Sequence, residues 1–218
     1  MAPLFLFILL SSASSLSGLY GQFSLPVVPY CSNTDNYTMA SQYQVNLAQL
    51  MSDLPRNAID NGGFAKRTAG EAPDKVFGLI MCYADQNWTD CQNCIRAAAA
   101  GIQQTCPFSL VARSCYDGCV LQYSNENFFS VANTTVAYYF VEPAPVNNTD
   151  SMEAIRSKLM RRLTAEAAGS PRWWANGKDR YTDSQGKPQE LYGFTQCTRD
   201  LNASECISFN NYLLNLTG

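Results

Sequence analysis

The sequence predicts an α+β protein built from two copies of one cysteine-stapled module, with helices laid over an antiparallel sheet. Three observations carry this expectation. Cys82, Cys91 and Cys94 are spaced C-x8-C-x2-C, and Cys197 and Cys206 repeat the first interval 115 residues later. The seventeen residues from Lys75 to Cys91 align without a gap on those from Glu190 to Cys206. They share a glycine (Gly78, Gly193) and keep apolar or aromatic positions in the same order. A register of that length marks an internal repeat, so the module is the unit to interpret. Finally, short strand-like runs are interleaved with apolar stripes at helical spacing.

In chain order, Leu25 to Tyr30 reads as a short strand ending at Cys31. Tyr43, Leu47, Leu50 and Leu54 follow at spacings of 4, 3 and 4, one face of an amphipathic helix with Pro55 near its end. Phe64 to Ala69 and Lys75 to Cys82 read as strands joined by a turn at Gly70 to Asp74. Thr89 is expected to cap a second helix, with Gln92 completing a capping box. That helix would bury Cys91, Cys94, Ile95, Ala98 and Ile102, and the alanines from Ala97 to Ala100 favour it. Strands are expected at Leu110 to Arg113, Cys119 to Tyr123 and Thr135 to Glu142. The first module then spans 25–142, and residues 143–149 are a linker by composition.

The second copy, 150–218, opens with a capping box of Asp150 and Glu153. Ile155, Leu159 and Leu163 stripe its first helix, which Gly169 and Pro171 end. Trp173-Trp174 and Glu190 to Cys197 read as strands, with one side of the tryptophan pair in the core. Only 12 residues follow Cys206, Phe209 stands where Cys94 would be, and counterparts of Cys106 and Cys119 are missing. The second copy is therefore expected to be truncated, without its closing helix and central strands. Its uncovered apolar face is expected to pair with the first copy, with a partner or by self-association, or the copy will not fold stably.

The bulk numbers bound the compartment and the partners. A hydrophobic content of 46% with 15% charged residues is that of a folded protein. A net charge of -3, a pI near 4.9 and no basic run longer than two residues give no electrostatic reason to bind nucleic acid. Leu4 to Leu10 is an unbroken apolar heptad followed by small residues to Gly18. It reads as a secretory signal peptide, 1–21, rather than a buried strand or membrane anchor, and seven apolar residues are too few to span a bilayer. Nine cysteines and six N-x-[ST] sequons, at Asn36, Asn87, Asn133, Asn147, Asn202 and Asn215, agree with a secreted, glycosylated chain.

Three chemistries compete for the cysteines. Disulfides follow from the compartment and the count. Zinc would need tight ligand pairs and usually histidine, of which the chain has none. Cys91-Gln92-Asn93-Cys94 at a helix start has the form of a thioredoxin-like redox motif, although Cys82 and Cys119 are available as structural partners. Nine is odd, so at least one thiol is free or intermolecular.

The cysteine triplet, Gln122-Tyr123 after the last cysteine, and the surroundings of Phe64, Gly78 and Trp173-Trp174 resemble the plant ginkbilobin-homologous (stress-antifungal) domain. That domain occurs in cysteine-rich receptor-like kinases, plasmodesmata-located proteins and cysteine-rich repeat secretory proteins. The resemblance covers Pro29 to Phe129 fully and Val146 to Phe209 in part. It implies two helices packed on a five-stranded antiparallel sheet. It also implies disulfides Cys31–Cys106, Cys82–Cys91, Cys94–Cys119 and Cys197–Cys206, with Cys115 unpaired. Single-domain members bind mannose through an Asn, an Arg and a Glu. Those positions fall on Ser32, Arg113 and Ser124, so only the arginine matches; Asn33 and Glu126 are the neighbours of the two that differ.

The expected function is a non-enzymatic binding module of plant extracellular defence or signalling, located in the apoplast. Its partner would be a glycan or a receptor ectodomain, with no cofactor and no metal. The alternative is a truncated receptor-kinase ectodomain or gene-model fragment without activity of its own. Catalysis is disfavoured because histidine, the commonest base, is absent. Asp85 and Asp90 are the nearest carboxylate pair, in a turn where a helix N-terminus stabilises anions anyway.

Overall fold

The computed structural model describes residues 28–33, 36–132 and 149–216. The expected signal peptide, the strand at Thr135 to Glu142, almost all of the linker, and the sequons at Asn133 and Asn147 lie outside those residues.

The first repeat contains β1 (Val28–Cys31), α1 (Gln42–Asp60), β2 (Phe64–Ala69), β3 (Val76–Cys82), α2 (Trp88–Thr105), β4 (Ala112–Cys115) and β5 (Cys119–Ser124). The five strands form one antiparallel sheet in the order β1-β4-β5-β3-β2. Both helices lie on one face. Tyr43, Leu47, Leu50 and Leu54 of α1 and Ile95, Ala98 and Ile102 of α2 meet Ile80, Leu121 and Tyr123 of the sheet in a single core.

Two helix ends differ from the sequence reading. α1 runs through Pro55 to Asp60. The proline removes one backbone bond, to the Met51 carbonyl, but Leu54 and Ala58 stay buried on either side, and their packing carries the helix across. α2 begins two residues earlier than expected. Asn87, not Thr89, is its N-cap, with Oδ1 accepting the Asp90 N–H at 2.9 Å. Asparagine caps as well as threonine, and the earlier start sets the Asp90 charge in the first turn, where the helix dipole favours it. β4 also sits two residues later than the expected Leu110 to Arg113.

Three disulfides anchor α2. Cys82–Cys91 ties its first turn to the end of β3, Cys94–Cys119 ties the next turn to β5, and Cys31–Cys106 ties its C-cap to β1. Their sequence separations are 9, 25 and 75. By loop entropy these contribute about 2.5, 3.5 and 4.5 kcal/mol respectively. Cys91 and Cys94 are thus bonded to different partners, which removes the Cys91–Cys94 redox reading. Cys115 is free and half-buried.

The second repeat contains α3 (Thr149–Gly169), β6 (Trp174–Thr182), β7 (Pro188–Gln196) and α4 (Ala203–Leu216). α3 starts at Thr149, so Asp150 lies inside its first turn instead of capping it. The expected loss of a closing helix is corrected: the residues around and after Cys206 form α4, in the position of α2. Residues compatible with helix need only one packed face, and Cys197–Cys206 fixes that face from below. Among the described residues, counterparts of β4 and β5 are absent, and β6 pairs with β7 alone.

The shared glycine has a steric cause. A Cβ on Gly78 would stand 2.7 Å from Leu50 Cδ2 and 2.9 Å from Leu54 Cδ1, and one on Gly193 2.8 Å from Leu163 Cδ1. Each glycine lets a helix lie directly on its strand pair. Gly101 in α2, by contrast, has open space where its Cβ would go. Denaturant unfolding should therefore separate the two sites in sign. Gly78→Ala should destabilise by about 1–3 kcal/mol through overpacking, whereas Gly101→Ala should stabilise by about 0.5–1 kcal/mol through helix propensity.

Candidate functional site

Strand alternation turns Ala112, Ser114, Leu121 and Tyr123 toward the helices, where all four are buried. Arg113, Gln122 and Ser124 occupy the opposite, outer face. The register aligns Tyr30, Arg113, Gln122, Leu79 and Lys66 in one row across all five strands. Arg113 Nε donates to Gln122 Oε1 at 3.0 Å.

Ser32 and Ser124 lie beside this row. The Ser32 N–H donates to the Val111 carbonyl at 2.9 Å, and its own carbonyl accepts the Ser109 hydroxyl at 2.9 Å. Ser124 ends β5 opposite Phe77, buried, and its hydroxyl accepts the Glu126 N–H at 3.0 Å. Asn33 and Glu126 are exposed. The fold thus brings Ser32, Arg113 and Ser124 to one corner of the outer face. There the Ser124 oxygen is engaged by the backbone, and Arg113 is the one charged group of the three.

Sequence reading missed what covers the rest of this face. The chain after β5 folds back so that Phe129 meets Phe77 edge-on, with centroids 5.7 Å apart, and Phe128 packs on Phe129 at 4.9 Å. Lys66 Nζ lies 5.5 Å from the Phe129 ring. The two repeats meet at the adjacent edge. Gln196 Oε1 accepts the Ala84 N–H at 2.8 Å, and Arg199 Nη1 donates to the Gly62 carbonyl at 2.9 Å beneath the Phe64 ring. Burial, with nearby Arg172, pushes the Arg199 guanidinium pKa down. Asp200 and Glu205 accept the Ser130 and Ala132 N–H groups at 2.7 and 2.8 Å. These contacts are long-range in sequence, and no local pattern announces them.

The outer face of β6 and β7 carries Trp174, Lys178, Arg180, Glu190, Tyr192 and Phe194. Glu190 accepts hydrogen bonds from the Tyr192 hydroxyl at 2.6 Å, Lys178 Nζ at 2.9 Å and Arg180 Nη2 at 3.3 Å. Those three donors, the tyrosine foremost, hold its carboxyl down at about 2.

Asp85 and Asp90 do not form an enclosed pair. Both are exposed, and the Asp90 carboxylate accepts from the Asn87 amide. Among the described residues, no group of three or more His, Cys, Asp or Glu side chains is placed to hold a metal ion. A cleft of about 320 Å³ opens beside the start of α1, lined by Asn36, Tyr37, Ser41, Tyr43, Asp74 and Asn125 among others. Asn36, Tyr37 and Thr38 of its lining belong to one sequon. Asn87 and Asn202, sequon residues at matching positions of the repeats, are both exposed, and Asn202 Oδ1 accepts the Glu205 N–H at 2.9 Å as Asn87 does for Asp90. Asn215 lies on α4.

Comparison with known proteins gives a consistent picture. The stress-antifungal family (salt stress response/antifungal) matches residues 30–126. An antimicrobial ginkbilobin-2-like protein of Castanea crenata is 33% identical over 83% of this chain and 73% of its own length. Cysteine-rich repeat secretory protein 38 of Arabidopsis thaliana is 31% identical over 81% of this chain and 69% of its own. Cysteine-rich receptor-like protein kinase 6 of Arabidopsis thaliana is 33% identical over 94% of this chain, which spans only 30% of that kinase. In structure, the tandem DUF26 ectodomain of the Arabidopsis thaliana cysteine-rich receptor-like protein PDLP8 superposes with a TM-score of 0.70 at 22% identity, covering 87% of this chain and 85% of that one.

Asn87 combines two roles that substitution can separate. Asn87→Ala should lower unfolding stability by about 1 kcal/mol by removing the α2 cap. Thr89→Ala destroys the same sequon but leaves the cap, and should change the stability of unglycosylated protein by less than about 0.5 kcal/mol. Equal losses in both variants would place the cap elsewhere.

Proposed function

The chain belongs to the stress-antifungal (DUF26, ginkbilobin-2-like) family of cysteine-rich plant secreted and receptor-like proteins, and from that premise we propose that it is a non-enzymatic extracellular recognition module of the apoplast. The observation that carries this reading is the set of four disulfides, which suits an oxidising compartment. The carboxylates Asp85 and Asp90 are both exposed and do not form an enclosed pair. Among the described residues, no helix is long and apolar enough to cross a membrane. N-glycans at Asn36, Asn87 and Asn202 fit the exposure of those side chains. A glycan or a receptor ectodomain is the class of partner.

The mannose pocket implied by the resemblance is not part of this reading. Ser124 puts a neutral hydroxyl, which also accepts the Glu126 N–H, in place of a carboxylate, and Arg113 donates to Gln122. A sugar hydroxyl network deprived of two of its three polar partners loses most of its affinity.

A second reading has one observation in its favour. The alignment with receptor-like kinase 6 runs over nearly the whole of this chain, so the chain corresponds equally to part of a longer receptor ectodomain without activity of its own. A transcript continuing in frame beyond Gly218 into a kinase would select that reading.

On a glycan array probed with oxidised, secreted protein, wild type and Arg113→Ala should give mannoside signals equal within about twofold. A loss of about tenfold in the variant would restore the inherited pocket. Incubation with the same glycans should release no product, and hydrolysis of any of them would overturn the recognition reading.

A further inference from the structure

We propose that the outer face of β6 and β7 docks an extended segment of a partner protein that carries adjacent aromatic residues beside an acidic one. The proposal rests on the recognition-module reading and names a surface and a partner chemistry for it. Its basis is a comparison of the two repeats at equivalent positions. Phe77, Leu79 and Met81 of β3 correspond to Tyr192, Phe194 and Gln196 of β7, at the constant offset of 115. Leu79 and Met81 are each 2% exposed, whereas Tyr192 is 70% and Phe194 39% exposed. The same sheet positions are covered in one repeat and open to solvent in the other.

In the first repeat Gln196 Nε2 meets Met81, and the chain after β5 packs on Phe77, the counterpart of Tyr192. Residues 125–132, Asn-Glu-Asn-Phe-Phe-Ser-Val-Ala, run beside its outer face, and Phe129 is held between the Phe77 ring and the Lys66 ammonium. In the second repeat Asn176 stands where Lys66 does, but a lysine recurs at the next pair on the same face, Lys178 opposite Tyr192. Trp174 stacks on Phe194 with centroids 6.0 Å apart, and Lys178 Nζ lies 5.7 Å from the Tyr192 ring. The Tyr192 hydroxyl is fixed by Glu190, so the ring is already positioned and little side-chain entropy is lost on binding. Tryptophan, tyrosine and arginine are the residue types that dominate interface energetics. Lys178 and Arg180 outnumber Glu190, which leaves the patch one positive charge to meet a carboxylate, as Glu126 would supply in the covering segment. A cluster of exposed aromatic rings of this kind on a sheet face marks an interaction surface. The internal precedent is a peptide, which favours a protein over a polysaccharide.

The test is an amide NMR titration of the full oxidised chain with a synthetic peptide of residues 125–132. Saturable shifts confined to Trp174, Lys178, Tyr192 and Phe194 and their strand neighbours are expected. A peptide with both phenylalanines changed to serine should not bind. Tyr192→Ala, at an exposed position whose folding the amide spectrum itself reports, should weaken binding by at least about tenfold, and Lys178→Glu should weaken it as well. The proposal fails if no saturation is reached by about 5 mM peptide, if the shifts lie on another face, or if Tyr192→Ala binds as tightly as wild type. It fails equally if chitohexaose or mannohexaose saturates this face and the peptide does not, or if sedimentation shows the face closed by a second copy of the chain. The glycan-array and hydrolysis assays are independent of this titration, so failure here leaves the recognition reading standing.

Discussion

Each repeat depends on a short covalent loop, a C-x8-C disulfide that joins the end of a strand to the first turn of a helix. Cys82–Cys91 and Cys197–Cys206 have sequence separations of 9 and Cα distances of 5.5 and 5.7 Å. The loop sets where the helix begins and so how it crosses the sheet. An asparagine three residues ahead of the capped N–H satisfies one of the helix's free amides in both copies, and the following acid sits in the first turn, where the dipole favours it. The strand, meanwhile, needs a glycine four residues before its cysteine so that the preceding helix can lie against it. Cysteine, asparagine, acid and glycine therefore recur together because one geometry requires all four.

Around that shared unit the two copies diverge in how much apolar surface they bury. The first has five strands, three disulfides and one large core. Among the described residues, the second has two strands, one disulfide and two small clusters, around Leu159 and Leu163 and around Cys197 and Cys206. Where the first copy buries Ile80 and Ile95, the corresponding Thr195 and Asn210 are joined by a side-chain hydrogen bond of 2.9 Å. A buried polar pair contributes only modestly to stability, about 1 kcal/mol net, but is costly to leave half-satisfied. The second copy also leans on the first through Gln196, Arg199, Asp200 and Glu205, each of which hydrogen-bonds a backbone group of the first repeat or of the segment that follows it.

The parts of the fold legible in the sequence are those fixed by local spacing. The Tyr43-Leu47-Leu50-Leu54 stripe, the β2 and β3 strands, and the Leu159-Leu163 stripe all follow from periodicity. The glycine register follows from the repeat. Helix boundaries are less legible, because Asn87 and Thr89 are both good caps two residues apart, and because packing at Ala58 carries α1 five residues past Pro55. α4 escaped notice because the cysteines that mark α2 are missing beyond Cys206, although a helix needs no cysteine to form. At the candidate site, strand alternation placed Arg113 on a face but gave no view of its Gln122 partner or of the backbone N–H that takes the Ser124 hydroxyl. The aromatic cover of Phe128 and Phe129 was invisible for the same reason: such contacts are set by topology rather than by neighbouring residues.

The covalent framework is the claim on which the rest stands, and its direct test is disulfide mapping by mass spectrometry of the secreted protein, digested without reduction. Linked peptides are expected for Cys31–Cys106, Cys82–Cys91, Cys94–Cys119 and Cys197–Cys206, with Cys115 recovered as an alkylated thiol. A Cys91–Cys94 linkage, or mature protein with most of its cysteines reduced, would contradict it.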